Sequence, residues 1–354
     1  MNVPRRVCDA FGLRAPRITP MTEGHINESW RVRTAQRDVV VQRINGLVFP
    51  NAPVMVANAD RAARALRRRW PGFAPEFIET RQGELWFRDV DACCWRAAHH
   101  IAHAQAPTDG GSTEDAYRAA EAFGRVLRGF EELALEAWEN PIPGFHELLP
   151  RLAHLDSLVA ANAMDRNRQV ANELELVERQ RNHVAWPADL PPRLIHGDCK
   201  LSNVLFDAGG EVMAVVDLDT VMVGFCGWDF GDLVRSAASS AAEDEPDPQR
   251  ITLDMAVFEA LAAGYLKATG DLLTGPEVES LALGAPYITF MLGVRFLADF
   301  LDGDRYFRIR RERQNLHRAR AQLKLASVML DRMDDMKDAL NRARHVVPGT
   351  TSSS

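Results

Sequence analysis

The sequence has little cysteine, and what it has does not pair: Cys8, Cys93, Cys94, Cys199 and Cys226 are five in 354 residues, with no C-x-x-C spacing. An odd count without that spacing excludes a disulfide framework and gives no zinc pattern, so reduced thiols are expected. Positive charge is also in deficit, with 42 Lys and Arg against 49 Asp and Glu for a net charge of −7. The chain therefore lacks the overall electrostatic footprint of a nucleic-acid binder. No apolar run reaches the length of a membrane span, and the opening Met1-Asn-Val-Pro-Arg-Arg-Val-Cys8 lacks the hydrophobic core of a signal peptide. A cytoplasmic protein without a membrane partner is expected. There is no internal repeat, and the one low-complexity stretch is the Ser/Thr tail after Pro348; disorder is expected over 346–354.

What is present is a chain that can fold. At 46% hydrophobic and 26% charged residues, it has the composition of a globular protein and the length for two domains with ample cores. The most informative stretch runs from His196 to Asp219. It opens His196-Gly197-Asp198-Cys199-Lys200-Leu201-Ser202-Asn203, continues through the apolar segments 204–206 and 212–216 on either side of Asp207-Ala208-Gly209-Gly210-Glu211, and closes at Asp217-Leu218-Asp219. Two short apolar runs around a Gly-containing turn predict a β-hairpin. A hairpin brings its two ends together, so Asp198 and Asn203 before it and Asp217 after it are expected to emerge at one end. Mg²⁺ takes hard oxygen ligands, one or two of them from protein, and Asn203 and Asp217 suit that role. In phosphoryl transfer the protein positions the acceptor and neutralises charge, with little covalent work to do.

Earlier in the chain, residues 18–32 predict a strand, a turn at Glu23-Gly24 and a returning strand; backbone amides of such a turn can cover phosphates. Asp38–Arg43 is a further strand ending in a cation. A helix follows over 54–70, in which Asn58 or Asp60 is a possible partner for Arg43. Two more strands are expected at 76–80 and 84–90, and an interlobe hinge at 94–101. From Thr113 the apolar spacing becomes helical, with Ser112 or Thr113 as cap, and a long polar helix is expected over 165–184. Residues 286–300 predict a buried helix with Arg295 four residues before Asp299, on the same face.

The Asp198-x-Lys200-x-x-Asn203 spacing resembles the protein-kinase catalytic loop, and Asp217 stands nineteen positions after Asp198, about where such kinases carry a metal-binding Asp. The His-Gly-Asp opening and the Val-Asp-Leu-Asp close are more similar to the aminoglycoside phosphotransferase and choline kinase superfamily. Together with Gly24-His25-Ile26-Asn27, Gln42-Arg43-Ile44-Asn45, Ile142-Pro-Gly-Phe-His146 and Arg295-Phe-Leu with Gly303-Asp304-x-Tyr306-Phe307, they resemble bacterial N-acetylhexosamine 1-kinases over nearly the full chain.

That resemblance implies an α+β, bilobal protein-kinase-like fold. An antiparallel-sheet nucleotide-binding lobe would occupy 1–97, and a mostly helical catalytic and substrate lobe 98–345. It implies transfer of the ATP γ-phosphoryl group, with Mg²⁺, to the anomeric hydroxyl of an N-acetylhexosamine. Asp198 and Lys200 would be catalytic; Gly24, His25, Asn27 and Arg43 would bind nucleotide; Asn203 and Asp217 would hold metal. Arg295 and Tyr306 would recognise the sugar. Asp219 would contact metal or sugar, or support them. Asp229-Phe230-Gly231 comes thirty-one residues after Asp198, too late for the metal-binding Asp. Asp232 is instead the expected brace, accepting hydrogen bonds from the catalytic-loop backbone. Other acceptors remain open, among them a fructosamine, a choline-like alcohol or an aminoglycoside, as does a pseudokinase that binds nucleotide without turnover.

Overall fold

Alternation with a period of two explains the first sheet. Trp30 and Val32 on β2 (Glu28–Arg33) and Val39 and Val41 on β3 (Asp38–Arg43) are buried, while their neighbours are half-buried or exposed. These side chains meet Val7 of α1 (Arg5–Ala10), Phe11 just after it and Trp95 in one apolar cluster. Each fully buried Val or aromatic contributes roughly 1.5–3 kcal/mol. The computed structural model describes residues 3–21, 26–106 and 112–346; Gly24, His25 and residues 347–354 of the expected tail lie outside them.

The sheet is antiparallel, in the order β1 (Arg17–Met21), β2, β3, β5 (Cys94–His99), β4 (Phe87–Arg88). Two expectations are corrected. Residues 76–80 form no strand but an irregular segment joined by bonds such as Ile78 N–H to the Ala97 carbonyl, and 84–90 shrinks to a two-residue strand. The segment read as a hinge is a strand lodged beside β3. Cys94, Trp95, Arg96 and Ala97 on it are all buried, because Trp95 and Ala97 face the first cluster and Cys94 joins a second one built around Met55 and Val56 of α2 (Ala52–Arg69).

The chain divides into two compact units. One comprises 1–106, 129–143 and 203–223. It holds the sheet, α2 and the hairpin β7 (Val204–Phe206) and β8 (Val212–Val215), which pairs in the expected antiparallel register with Val204 opposite Val215. The other comprises 107–128, 144–202 and 224–354. It is mostly helical: α3 (Thr113–Gly129, all but its last residue), α4 (Leu148–Ala161), α5 (Ala171–Gln180), α6 (Cys226–Ala237), α7 (Met255–Thr269), α8 (Gly275–Leu301), α9 (Gln314–Asp331) and α10 (Met333–Val346), with the short strand β6 (Arg193–Ile195). The expected helix over 165–184 is shorter, beginning at Ala171. With an antiparallel sheet in its N-terminal region and helices in its C-terminal part, the fold is α+β, as expected.

Helix α8 starts at a capping box in which the Thr274 hydroxyl and the Glu277 carboxylate each accept a backbone amide. By length and composition it could cross a membrane, contrary to the reading of the sequence. Within its unit, however, 83% of its most apolar window is buried, as in a core helix. It packs on α6 with the two backbones in direct contact: a Cβ at Gly284 would overlap the Gly227 carbonyl, and one at Gly231 the Gly284 carbonyl.

Candidate active site

Strand β6 delivers the chain to His196, whose ring lies edge-on to Phe123. Gly197 turns with a φ of +79°, a conformation that costs glycine little. Both of its backbone groups are held. Its N–H donates to Asp229 Oδ1 at 2.7 Å, beside the His196 N–H on Oδ2 at 2.7 Å. Its carbonyl lies 2.9 Å from His146 Nε2. The brace expected of Asp232 is therefore Asp229, in the first turn of α6. Asp232 sits one turn further on, where Arg235 takes its carboxylate through Nε (2.9 Å) and Nη2 (2.8 Å). The Asp-Phe-Gly triplet thus supplies a buried support whose charge is occupied by backbone amides.

Burial raises the Asp229 pKa, against the opposing pull of His196 and the two amides. Burial likewise pushes the Cys199 thiol well above its usual value, which makes it inert. His146 is lowered to about 3, first by burial and then by the nearby Arg295. It is neutral at physiological pH, so Nε2–H donates to the Gly197 carbonyl. The Tyr287 hydroxyl donates to the His146 carbonyl at 2.9 Å and accepts the Leu148 N–H at 3.1 Å, tying this loop to α8 and α4. On that clamped loop the Asp198 side chain remains 23% exposed, with Lys200 Nζ 2.7 Å from Oδ2. The Asp198 N–H points at His196 Nδ1. The result is a carboxylate that can meet a ligand, on a backbone with little freedom to move.

In the other unit the hairpin closes as expected. The Val216 N–H donates to the Asn203 carbonyl, so Asn203 and Asp217 stand at its open end. Asp217 adopts the left-handed conformation (φ 63°, ψ 51°), uncommon outside glycine and often found at functional positions. A carboxamide and a carboxylate at one hairpin end are the hard-oxygen donor set that Mg²⁺ takes, and Mg²⁺ needs only one or two such groups. Among the described residues no three His, Cys, Asp or Glu side chains cluster as a cage.

Asp219 is held by its neighbours within the same unit. Only 3% exposed, it turns onto Arg96 of β5, with Oδ1 2.5 Å from Nη1 and Oδ2 accepting Nη2 at 2.9 Å. Asn27 Nδ2 donates to the same Oδ2 at 2.8 Å, while Asn27 Oδ1 accepts the Asn45 N–H and Arg96 Nε donates to Gln42. Asp219 is thereby a buried tie between the hairpin and the sheet. Arg96 was missed in the sequence, although a lone cation in Cys-Trp-Arg-Ala-Ala was a signal. Arg43 ends β3 paired with Glu28, its register neighbour, at 2.7 Å. Asn58 and Asp60 are engaged elsewhere, by the Glu139 carbonyl and Arg64.

The structure brings Arg295 and Tyr306 together in a cleft of about 190 Å³ in the helical unit. Arg295 does not pair with Asp299. That carboxylate accepts the backbone N–H groups of Arg305, Tyr306 and Phe307 and the Asn315 amide, fixing the loop after α8. The Arg295 guanidinium lies instead over the rings of Phe145, Phe307 and Tyr306, at 5.0, 5.3 and 5.7 Å from their centroids.

A catalytic-type loop with a clamped backbone, a hairpin presenting oxygen donors and an α+β framework define a kinase-like protein. Residues 17–273 match the family described as the phosphotransferase enzyme family, and the chain belongs to it. Solved structures share the fold. An aminoglycoside phosphotransferase from Alicyclobacillus acidocaldarius aligns at a TM-score of 0.63 with 13% identity over 97% of each chain. A microcompartment-associated aminopropanol kinase aligns at 0.58 with 13% identity over 91% of this chain and 94% of that one. An amicoumacin kinase, in complex with AMP-PNP and Ca²⁺, aligns at 0.59 with 10% identity over 88% of each. At such identities the likeness carries the fold alone, that of an aminoglycoside-phosphotransferase-like kinase.

Proposed function

We propose that this phosphotransferase transfers the γ-phosphoryl group of ATP to a sugar hydroxyl, the anomeric hydroxyl of an N-acetylhexosamine. The observation that carries the reading is the partly exposed Asp198 on a loop whose flanking backbone is held by Asp229 and His146. Asp198 accepts or orients the acceptor proton, and Lys200 beside it offsets charge. Asn203 and Asp217 would hold Mg²⁺, which when bound neutralises phosphate charge. Arg43 would meet phosphate oxygens. That the amicoumacin kinase was solved with AMP-PNP supports a nucleotide donor here.

Arg295 and Tyr306 in one cleft support a sugar acceptor: a guanidinium and a phenol donate to hydroxyl or acetamido oxygens, and the neighbouring rings stack on a pyranose. A cationic acceptor such as an aminoglycoside or a choline-like alcohol would meet two guanidiniums, Arg151 and Arg295, in that cleft. The test is ATP consumption over a panel of sugars and amino alcohols. N-acetylhexosamines are expected to be turned over, and Asp198→Asn is expected to lower kcat by roughly 10²–10⁴-fold while sparing ATP affinity. Turnover confined to amino alcohols would replace the sugar. Undiminished kcat in Asp198→Asn would remove that residue from the chemistry.

A further inference from the structure

Two cations, Arg151 and Arg295, line the same cleft, and among the described residues neither has a carboxylate partner within salt-bridge distance. Arg151 of α4 directs Nη2 at the carbonyl oxygens of Gly144 (3.1 Å) and Phe145 (3.4 Å), and its Nε is buried with no hydrogen-bond partner. Arg295 is bounded by the rings of Phe145, Phe307 and Tyr306. The buried acids near them are already occupied, Asp299 by three backbone amides and Asn315, and Asp232 by Arg235, while the partly exposed Asp302 at the cleft meets Arg305 at 3.5 Å. The Arg295 pKa is lowered to about 10, mainly by burial, and the Arg151 charge adds to the fall. Like charges in a partly desolvated site repel, and a buried guanidinium donor without an acceptor costs free energy. Burial of this kind is tolerated when a ligand completes the set.

We infer that the acceptor carries an anionic group, a carboxylate, which seats between Arg151 and Arg295 while Phe145, Tyr306 and Phe307 cover its ring. The inference rests on the sugar-kinase reading and narrows it: the acceptor is an acidic derivative of the N-acetylhexosamine. A planar carboxylate can accept from the guanidinium groups of Arg151 and Arg295 at once, a geometry that suits such donors.

The test has a binding arm and a turnover arm. In the first, isothermal titration without nucleotide compares N-acetylglucosamine with its uronic acid, its 3-O-carboxymethyl ether and its 6-phosphate. Charge-assisted hydrogen bonds of roughly 1.5–3 kcal/mol correspond to about 10–100-fold in Kd, so one carboxylate sugar is expected to bind at least tenfold more tightly than the neutral sugar. Arg295→Gln and Arg151→Gln should each erase that ratio, and added salt should reduce it. In the second arm, the same compounds are compared for kcat/KM with Mg·ATP, where the same preference is expected. If acids and neutral sugar bind alike, or only the 6-phosphate gains, the carboxylate seat is overturned even where neutral sugar is phosphorylated. Tight acid binding with no turnover of any sugar would keep the seat and end the sugar-kinase reading.

Discussion

Three residues around Gly197 show how a buried side chain can act on a ligand it does not touch. Asp229 accepts both the His196 and Gly197 amides, so Asp229→Asn replaces one acceptor oxygen with a donor facing an N–H. Leaving that amide unsatisfied costs on the order of 1–3 kcal/mol, and Asp198 loses its support. Asp232→Asn disturbs only the pair with Arg235. At a temperature where both variants are folded, kcat is expected to fall at least tenfold in Asp229→Asn and much less in Asp232→Asn; equal losses would refute the brace. His146 gives a pH signature. Its folded pKa of about 3 lies below the ordinary value of 6.5, so the unfolded chain takes up a proton first on acidification. The stability this group contributes is present above pH 6.5 and is lost as pH falls toward 3. Between pH 7 and pH 5 the loss is about 2 kcal/mol. Urea denaturation of wild type and His146→Gln should show the wild-type advantage shrinking by that amount over this range. A gap independent of pH would mean that His146 titrates normally.

Elements were legible in the sequence where the pattern is local. The hairpin β7–β8 has apolar runs of strand length around a Gly turn, and α2 has a long helical period, so each was found within a few residues of its true ends, whereas α8 was found only over its C-terminal half and begins eleven residues earlier, at Gly275. Strand β5 was not, because Cys-Trp-Arg-Ala-Ala-His has weak strand propensity and no alternation, both faces being covered by packing from distant segments. Asp229 and Asp232 stand one turn apart on α6, and composition cannot say which of them reaches the loop from 196; that depends on how α6 lies against its neighbours. Its seating is fixed by contact of Gly227 and Gly231 with Gly284 of α8. Ala at 284 must push one backbone away from the other. Gly284→Ala is expected to cost about 1–3 kcal/mol or more and to lower kcat by displacing Asp229. Gly275→Ala, at the start of the same helix with only the Arg344 side chain nearby, should cost much less. If the two variants melted together, the backbone contact would have no role in placing the brace.

For the whole molecule, the proposed chemistry predicts a linkage between metal, nucleotide and stability. Asn203 and Asp217 share a hairpin end in the unit that holds the sheet, and the sequence could show their convergence because hairpin pairing is local. It could not show that the second acid, Asp219, is taken by Arg96 across 123 residues of chain. A ligand that binds only the folded state stabilises it by about 2.7 kcal/mol at 100 times its Kd. For domains of 150–250 residues, 1 kcal/mol raises Tm by about 2–4 °C, so Mg·ATP at that excess should raise Tm by several degrees. Chelation with EDTA should remove most of the rise. Asp217→Asn should do likewise at unchanged nucleotide concentration, because the metal that Asn203 and Asp217 would hold is then weakly bound. Asp219→Asn, by contrast, should lower the starting Tm by loosening the buried pair with Arg96 while leaving the metal-dependent increment in place. An ATP-induced rise that survives EDTA undiminished in the wild type would place the nucleotide without help from a cation, and Asn203 and Asp217 would lose their role as its ligands.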